Sequence, residues 1–138
     1  MPSVEATFEI RGKYWKENCL PGLNDMLTEA SRNPMAYARL KRQMETVTIS
    51  AARMGLKKWK ATERVRLDIT WGEKAKGQKR DFDNVVSAGR KIINDALVKA
   101  GYLHDDSPKY LAFGDNTFVY TDKPFVKVDI VLSPVETI

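Results

Sequence analysis

Asp81 and Asp83 stand one residue apart in the stretch Lys79-Arg80-Asp81-Phe82-Asp83-Asn84, and a second acidic pair, Asp105-Asp106, follows further along the chain. In an extended segment residues i and i+2 project to the same side, so both carboxylates of the first pair can face one point in space. A hard divalent cation such as magnesium takes oxygen ligands and keeps several waters, so two or three carboxylates suffice to hold it. A chain that folds back at Asp105-Asp106 would bring further oxygens to the cluster. The same residues also have ordinary structural uses. Asp83-Asn84 is a good helix N-cap, and Asp106-Ser107-Pro108 is a good turn. The setting favours the metal, because clustered acids repel one another unless a cation or neighbouring Lys and Arg compensate them.

The cations around these acids are concentrated. The net charge is +5, but residues 32–91 hold 16 Lys and Arg against 6 Asp and Glu, while the remainder holds 7 against 12. Such asymmetry is the footprint of a polyanion partner, a phosphate-bearing one in particular, although a solvated basic face would look similar. Arg32, Arg39, Arg42, Lys57, Lys58, Lys60, Lys79 and Arg80 are the candidate phosphate contacts, which fix position and make affinity salt-sensitive. Trp59 and Trp71 could stack on bases, but Trp71 alternates with apolar neighbours and is assigned to the core.

With 138 residues the chain is expected to form a single domain over 1–138. The lone cysteine, Cys19, excludes an internal disulfide and a cysteine-based zinc cluster. No segment has the length of a membrane span, and the first residues read as a strand rather than a secretory leader, so a cytoplasmic protein without a membrane partner is expected.

The elements that must position the acids follow from periodicity. Val4, Ala6, Phe8 and Ile10 alternate with polar residues as in a half-buried strand. Residues 12–34 are broken by Gly and Pro and hold a short helix from Asn24 to Ser31. Met35 to Met54 runs without Gly or Pro, with Leu40, Met44, Val47 and Ala51 at helical spacing and Gly55 as its predicted stop. "RVRLDITW" is a clear strand, followed by a Lys/Gly-rich loop from Gly72 to Gly77. The next helix is predicted to be capped by Asp83 or Asn84, to bury Val85, Ile92, Ala96 and Ala100, and to end at Gly101 in a left-handed conformation. Two apolar stretches, Tyr110–Tyr120 and Phe125–Leu132, flank Thr121-Asp122-Lys123-Pro124, which predicts a hairpin turn. The fold expected is α/β (α+β): one small mixed sheet of about four strands packed by two main helices.

On the second helix Asn84, Ser87, Lys91 and Asp95 form a polar stripe opposite the apolar one. Lys91 and Asp95 fit a surface i,i+4 ion pair worth roughly 0.3 kcal/mol. Equally, Lys91 can reach towards the acids and offer its charge to a phosphate in the transition state.

The run "RDFDN", the helix carrying "KIINDALVKAG" and the following "YLHDDS" resemble the RusA-type Holliday-junction resolvases. These are small homodimeric endonucleases, common in phages and prophages, that use magnesium to cut four-way DNA junctions. The resemblance is specific from Arg80 to about Leu111, with flanking elements in matching order. It implies that Asp81, Asp83 and Asp106 are the metal-binding catalytic acids, that Asp105 supports them at the metal, and that Lys91 is the catalytic lysine. It also implies Mg2+, with Mn2+ as a substitute, branched DNA as substrate and a homodimer that presents two sites. The spacing departs from the family in one place. The family lysine follows the second Asp by four residues, where Ser87 stands here, and Lys91 lies one helical turn further on. Arg90 is the neighbouring alternative.

Two other classes of function are compatible with these residues. A non-catalytic branched-DNA-binding module would use the acids structurally and bind junctions without metal. A metal-dependent hydrolase of small phosphate compounds would need no extended basic face. His104, the only histidine, lies beside the acidic pair and is not assigned to catalysis.

Overall fold

The alternation of apolar and polar residues sets which face each strand buries, and the computed structural model, which describes residues 3–135, shows that outcome in one mixed sheet. Its strands are β1 (Val4–Arg11), β2 (Val65–Lys74), β3 (Leu111–Ala112), β4 (Asn116–Thr121) and β5 (Phe125–Leu132). The helices are α1 (Leu23–Arg32), α2 (Pro34–Leu56) and α3 (Phe82–Lys99). The expected α+β class stands, with α1 as a third helix and β3 as a short extra strand.

One face of the sheet buries Phe8 and Ile10 from β1, Val126, Val128 and Ile130 from β5, and Val65, Leu67, Ile69 and Trp71 from β2. These side chains form one core with Leu40, Met44 and Ala52 of α2 and Val85, Ile92, Ile93 and Leu97 of α3. On the opposite face Arg66, Asp68, Lys127 and Asp129 keep contact with solvent. Every fully apolar face is thus turned to the helices, which is the arrangement the hydrophobic effect requires of a two-layer domain.

The strand order corrects the predicted hairpin. β2 pairs antiparallel with β5 and parallel with β3 and β4, so it lies between β4 and β5. The Thr121–Pro124 turn therefore crosses the end of β2 instead of joining neighbours. The reason is that β2 carries the longest unbroken alternation of large apolar residues, and both later strands gain ladder bonds by flanking it. The Gly72–Gly77 loop is corrected as well: β2 continues through Gly72 and the buried Glu73 to Lys74.

Two helix ends need glycine or its equivalent. α2 runs through Gly55, where an added Cβ would lie 2.5 Å from the Cβ of Phe8, so that glycine permits close packing on β1. The stop comes after Leu56, at Lys57 with φ 55°. Gly101 follows α3 with φ +84°, the left-handed conformation expected there.

Candidate functional site

Arg80 fixes where α3 begins. Its Nε and Nη2 donate to the two carboxylate oxygens of Glu73 at 2.8 and 2.7 Å, and its Nη1 donates to the Leu20 carbonyl at 2.9 Å. The Arg80 and Glu73 side chains are only 14% and 7% exposed, so this fork is spent inside the protein and is not offered to a phosphate. The expectation of Arg80 as a DNA contact is corrected accordingly.

Immediately after this anchor, Asp81 takes the N-cap position of α3 with φ −67° and ψ 145°, and its side chain makes no capping bond. Its carbonyl accepts the Val85 N–H at 3.1 Å. Phe82 is already helical, and Asp83 lies in the first turn. The two carboxylates are therefore not paired along an extended segment as expected. They sit at a helix N-terminus, whose unsatisfied N–H groups favour negative charge. Both remain exposed, and both line one open cleft with Leu23, Asn24, Asn84 and Ser87. Among the described residues neither carboxylate takes a side-chain hydrogen bond or ion pair.

Asn84 has another task than capping its own helix. Its Oδ1 accepts the Asn24 N–H at 2.7 Å, in the first turn of α1, whose own N-cap, Gly22, has no side chain to do so. Ser87, in the position of the family lysine, lines the cleft and donates its hydroxyl to the Asp83 carbonyl.

Lys91 lies further along α3, 60% exposed, with its ammonium 3.2 Å from Asp95 Oδ1 and 3.7 Å from Asp106 Oδ2. The expected i,i+4 pair with Asp95 is formed, and the same ammonium also meets Asp106 of the acidic loop; the expected reach back to Asp81 and Asp83 is not among its contacts. Eight residues of helix separate Asp83 from Lys91, roughly 12 Å along the axis. Among the described residues, no group of three or more His, Cys, Asp or Glu side chains is placed to hold a metal ion. Asp105 turns back on its own loop, its Oδ1 accepting the Asp106 N–H at 2.7 Å.

A network that the sequence did not reveal lies behind Lys91. Lys41 of α2 donates to Asp95 Oδ2 at 2.7 Å and stands 3.8 Å from Glu45 Oε2, while Lys99 holds Glu45 Oε1. Burial works against the charged Asp95, but the hydrogen bonds and charges of Lys41 and Lys91 outweigh it and hold its carboxyl below the ordinary range. The hydrogen bond to Asp95 raises Lys41 in turn. The i,i+4 spacings of Lys91 with Asp95 and of Lys41 with Glu45 were its local signals; the contact between the two helices had none.

Arg90, the alternative to Lys91, is occupied. Its Nε donates to Asn116 Oδ1 at 2.9 Å and its Nη2 to the carbonyls of Leu67 and Asp115, both at 2.9 Å. Burial pushes its pKa down. Trp71 is in the core, 1% exposed, and donates to the same Asn116 oxygen. Trp59 is half-buried against the core, and the His104 ring meets Tyr110 at a 50° tilt with centroids 4.6 Å apart.

Of the remaining basic candidates, Arg39, Arg42, Lys57, Lys58 and Lys60 are exposed at α2 and just past its end. Arg53, missed in the sequence, lies on the same side of α2 as Arg39 and Arg42 by helical spacing and is exposed too. Arg32 pairs with Glu29 at 3.2 Å. Lys79 donates to the Ala75 and Gly77 carbonyls and lies 5.4 Å from the centre of the Tyr120 ring. Phe82, between the two acids, is 60% exposed with its ring 4.5 Å from that of Phe118.

No protein-family model matches this chain, and no curated protein matches it. The resemblance to the resolvases therefore rests on the residues themselves. As a donor set, Asp81 and Asp83 suit a hard divalent cation: two exposed carboxylates with no side-chain partner among the described residues, on an open cleft that leaves room for the waters such an ion keeps.

Proposed function

We propose that this protein is a magnesium-dependent endonuclease for branched DNA, acting on the four-way junctions of recombination and repair as a homodimer. The observation that carries this reading is the pair of exposed carboxylates on one cleft rim, Asp81 and Asp83, with no side-chain partner among the described residues, at the start of the helix that carries a lysine tied to a third acid, Asp106. In this reading Asp81 and Asp83 hold Mg2+, or Mn2+ in its place. Such a cation supplies Lewis-acid charge to a phosphodiester when bound. Lys91, held beside Asp106 roughly two helical turns along α3 from Asp83, offers its ammonium to the scissile phosphate when DNA lies along the helix. The exposed cations of α2 and its end, Arg39, Arg42, Lys57, Lys58 and Lys60, grip the backbone of the arms. The order of residues from Arg80 to Leu111, which resembles the resolvases, supports the substrate class.

The test is incubation of a synthetic four-way junction with wild type and Asp83→Asn, with magnesium or with chelator. Paired nicks that need magnesium and vanish in the variant are the expected result. Cleavage that persists unchanged in Asp83→Asn overturns the reading. Junction binding without any metal-dependent cutting assigns the chain to the binding-module class instead.

A further inference from the structure

A lysine on the open side of a helix explores many rotamers, and one i,i+4 partner does little to restrict it. Lys91 has more than one partner. Asp95, whose side chain is only 19% exposed, is clamped through Oδ2 by Lys41 at 2.7 Å, which leaves Oδ1 directed at the Lys91 ammonium at 3.2 Å. Asp106 meets the same ammonium from the loop at 3.7 Å. Lys41 is itself backed by Glu45, 3% exposed, whose other oxygen takes Lys99. Charges of alternating sign thus run from between α2 and α3 out to the acidic loop, and each inner member has opposite charges on both sides.

We infer that Lys41 and Asp95 are positioning residues that set the Lys91 ammonium for its work on the scissile phosphate, an inference that rests on the nuclease reading above. Neither residue touches the substrate. Asp95 restrains Lys91 directly, and Lys41 acts through Asp95 by holding its Oδ2, which leaves Oδ1 for Lys91. This makes α2, besides carrying the basic face, a support for the site on α3. A network that served only to fasten α2 to α3 would need no outward member in contact with Asp106.

The two roles are separated by a double-mutant cycle on junction cleavage in magnesium. Lys41→Met is expected to lower kcat about ten- to a hundredfold with little change in KM, the cost typical of a displaced supporting group. Lys41→Arg should restore most of the rate. In a Lys91→Ala background, Lys41→Met should have no further effect. An equal loss in that background, or no loss in wild type, overturns the inference while leaving the nuclease reading intact. A second readout needs no activity. In protein labelled at lysine Cε with carbon-13, the Lys91 resonance, assigned by its loss in Lys91→Arg, should shift in Lys41→Met, and an unmoved resonance overturns the positioning. A junction left uncut by wild type overturns the nuclease reading and the catalytic half of this inference, while the Lys91 resonance decides the positioning half alone.

Discussion

Arg80 and Asp81 are neighbours in the chain with opposite fates. The guanidinium is turned inward on Glu73, and the carboxylate is left outward at the start of α3. A buried bidentate pair fixes geometry well, but it is costly to break from one side because the remaining charge stays in a poorly solvated place. Arg80→Ala should therefore destabilise the fold by about 3 kcal/mol or more, read as a shift in urea midpoint. Arg80→Lys should recover only part of this, since an ammonium lacks the planar fork. A loss no larger than that of an exposed arginine would contradict the anchoring role. Cys19 illustrates the same pressure on a single residue: burial first, then the nearby Glu73 charge, pushes its thiol up to about 12, so it stays neutral around pH 7.

At the scale of elements, the decisive junction is between α2 and α3, fastened by Lys41, Asp95, Glu45 and Lys99. The Asp95 carboxyl titrates below its unfolded value in the folded chain, so its stabilisation is present above about pH 4 and is lost as pH falls through the lower folded value. Lys41 is raised, so its share is present below the ordinary lysine value of about 10.4 and is lost as pH rises through the raised one. Thermal unfolding of wild type and Asp95→Asn should differ at pH 7, and the difference should narrow below about pH 4. A difference independent of pH in that range would show that Asp95 acts by packing alone. The link between α1 and α3 has a different chemistry. Asn84 caps α1 from another helix, so the cleft beside Asp81 and Asp83 has walls from both.

For the molecule as a whole, charge is the organising quantity. The excess of cations in the middle of the chain becomes an exposed basic side on α2, where Arg39, Arg42 and Arg53 share a face. Each cation that neutralises a backbone phosphate releases counterions and steepens the salt dependence of binding. Replacing all three arginines by Gln should weaken junction binding and reduce the slope of log affinity against log salt by about 2 to 3. Fluorescence anisotropy over a salt series measures this, and an unchanged slope would identify the face as merely solvated. No helix of the described residues is long and apolar enough to cross a membrane.

Local pattern alone determined a good part of this protein. Val65, Leu67, Ile69 and Trp71 had to share a buried strand face, Val85 and Ile92 had to turn α3 inward, and Gly101 had to follow its end. All these depend on neighbours within a few residues and on which side water is excluded. Local pattern also assembled the acids, the lysine and the basic surplus into one plausible chemistry. Tertiary structure alone decided who meets whom. It put β2 between β4 and β5, turned Arg80 onto Glu73, and left Asp83 within a helical turn. It also joined Lys41 to Asp95 across 54 residues of chain. The physical reason is that periodicity specifies a face but not its partner. A long-range partner is chosen by how whole helices and strands pack, and an ion pair forms only where that packing happens to align two side chains.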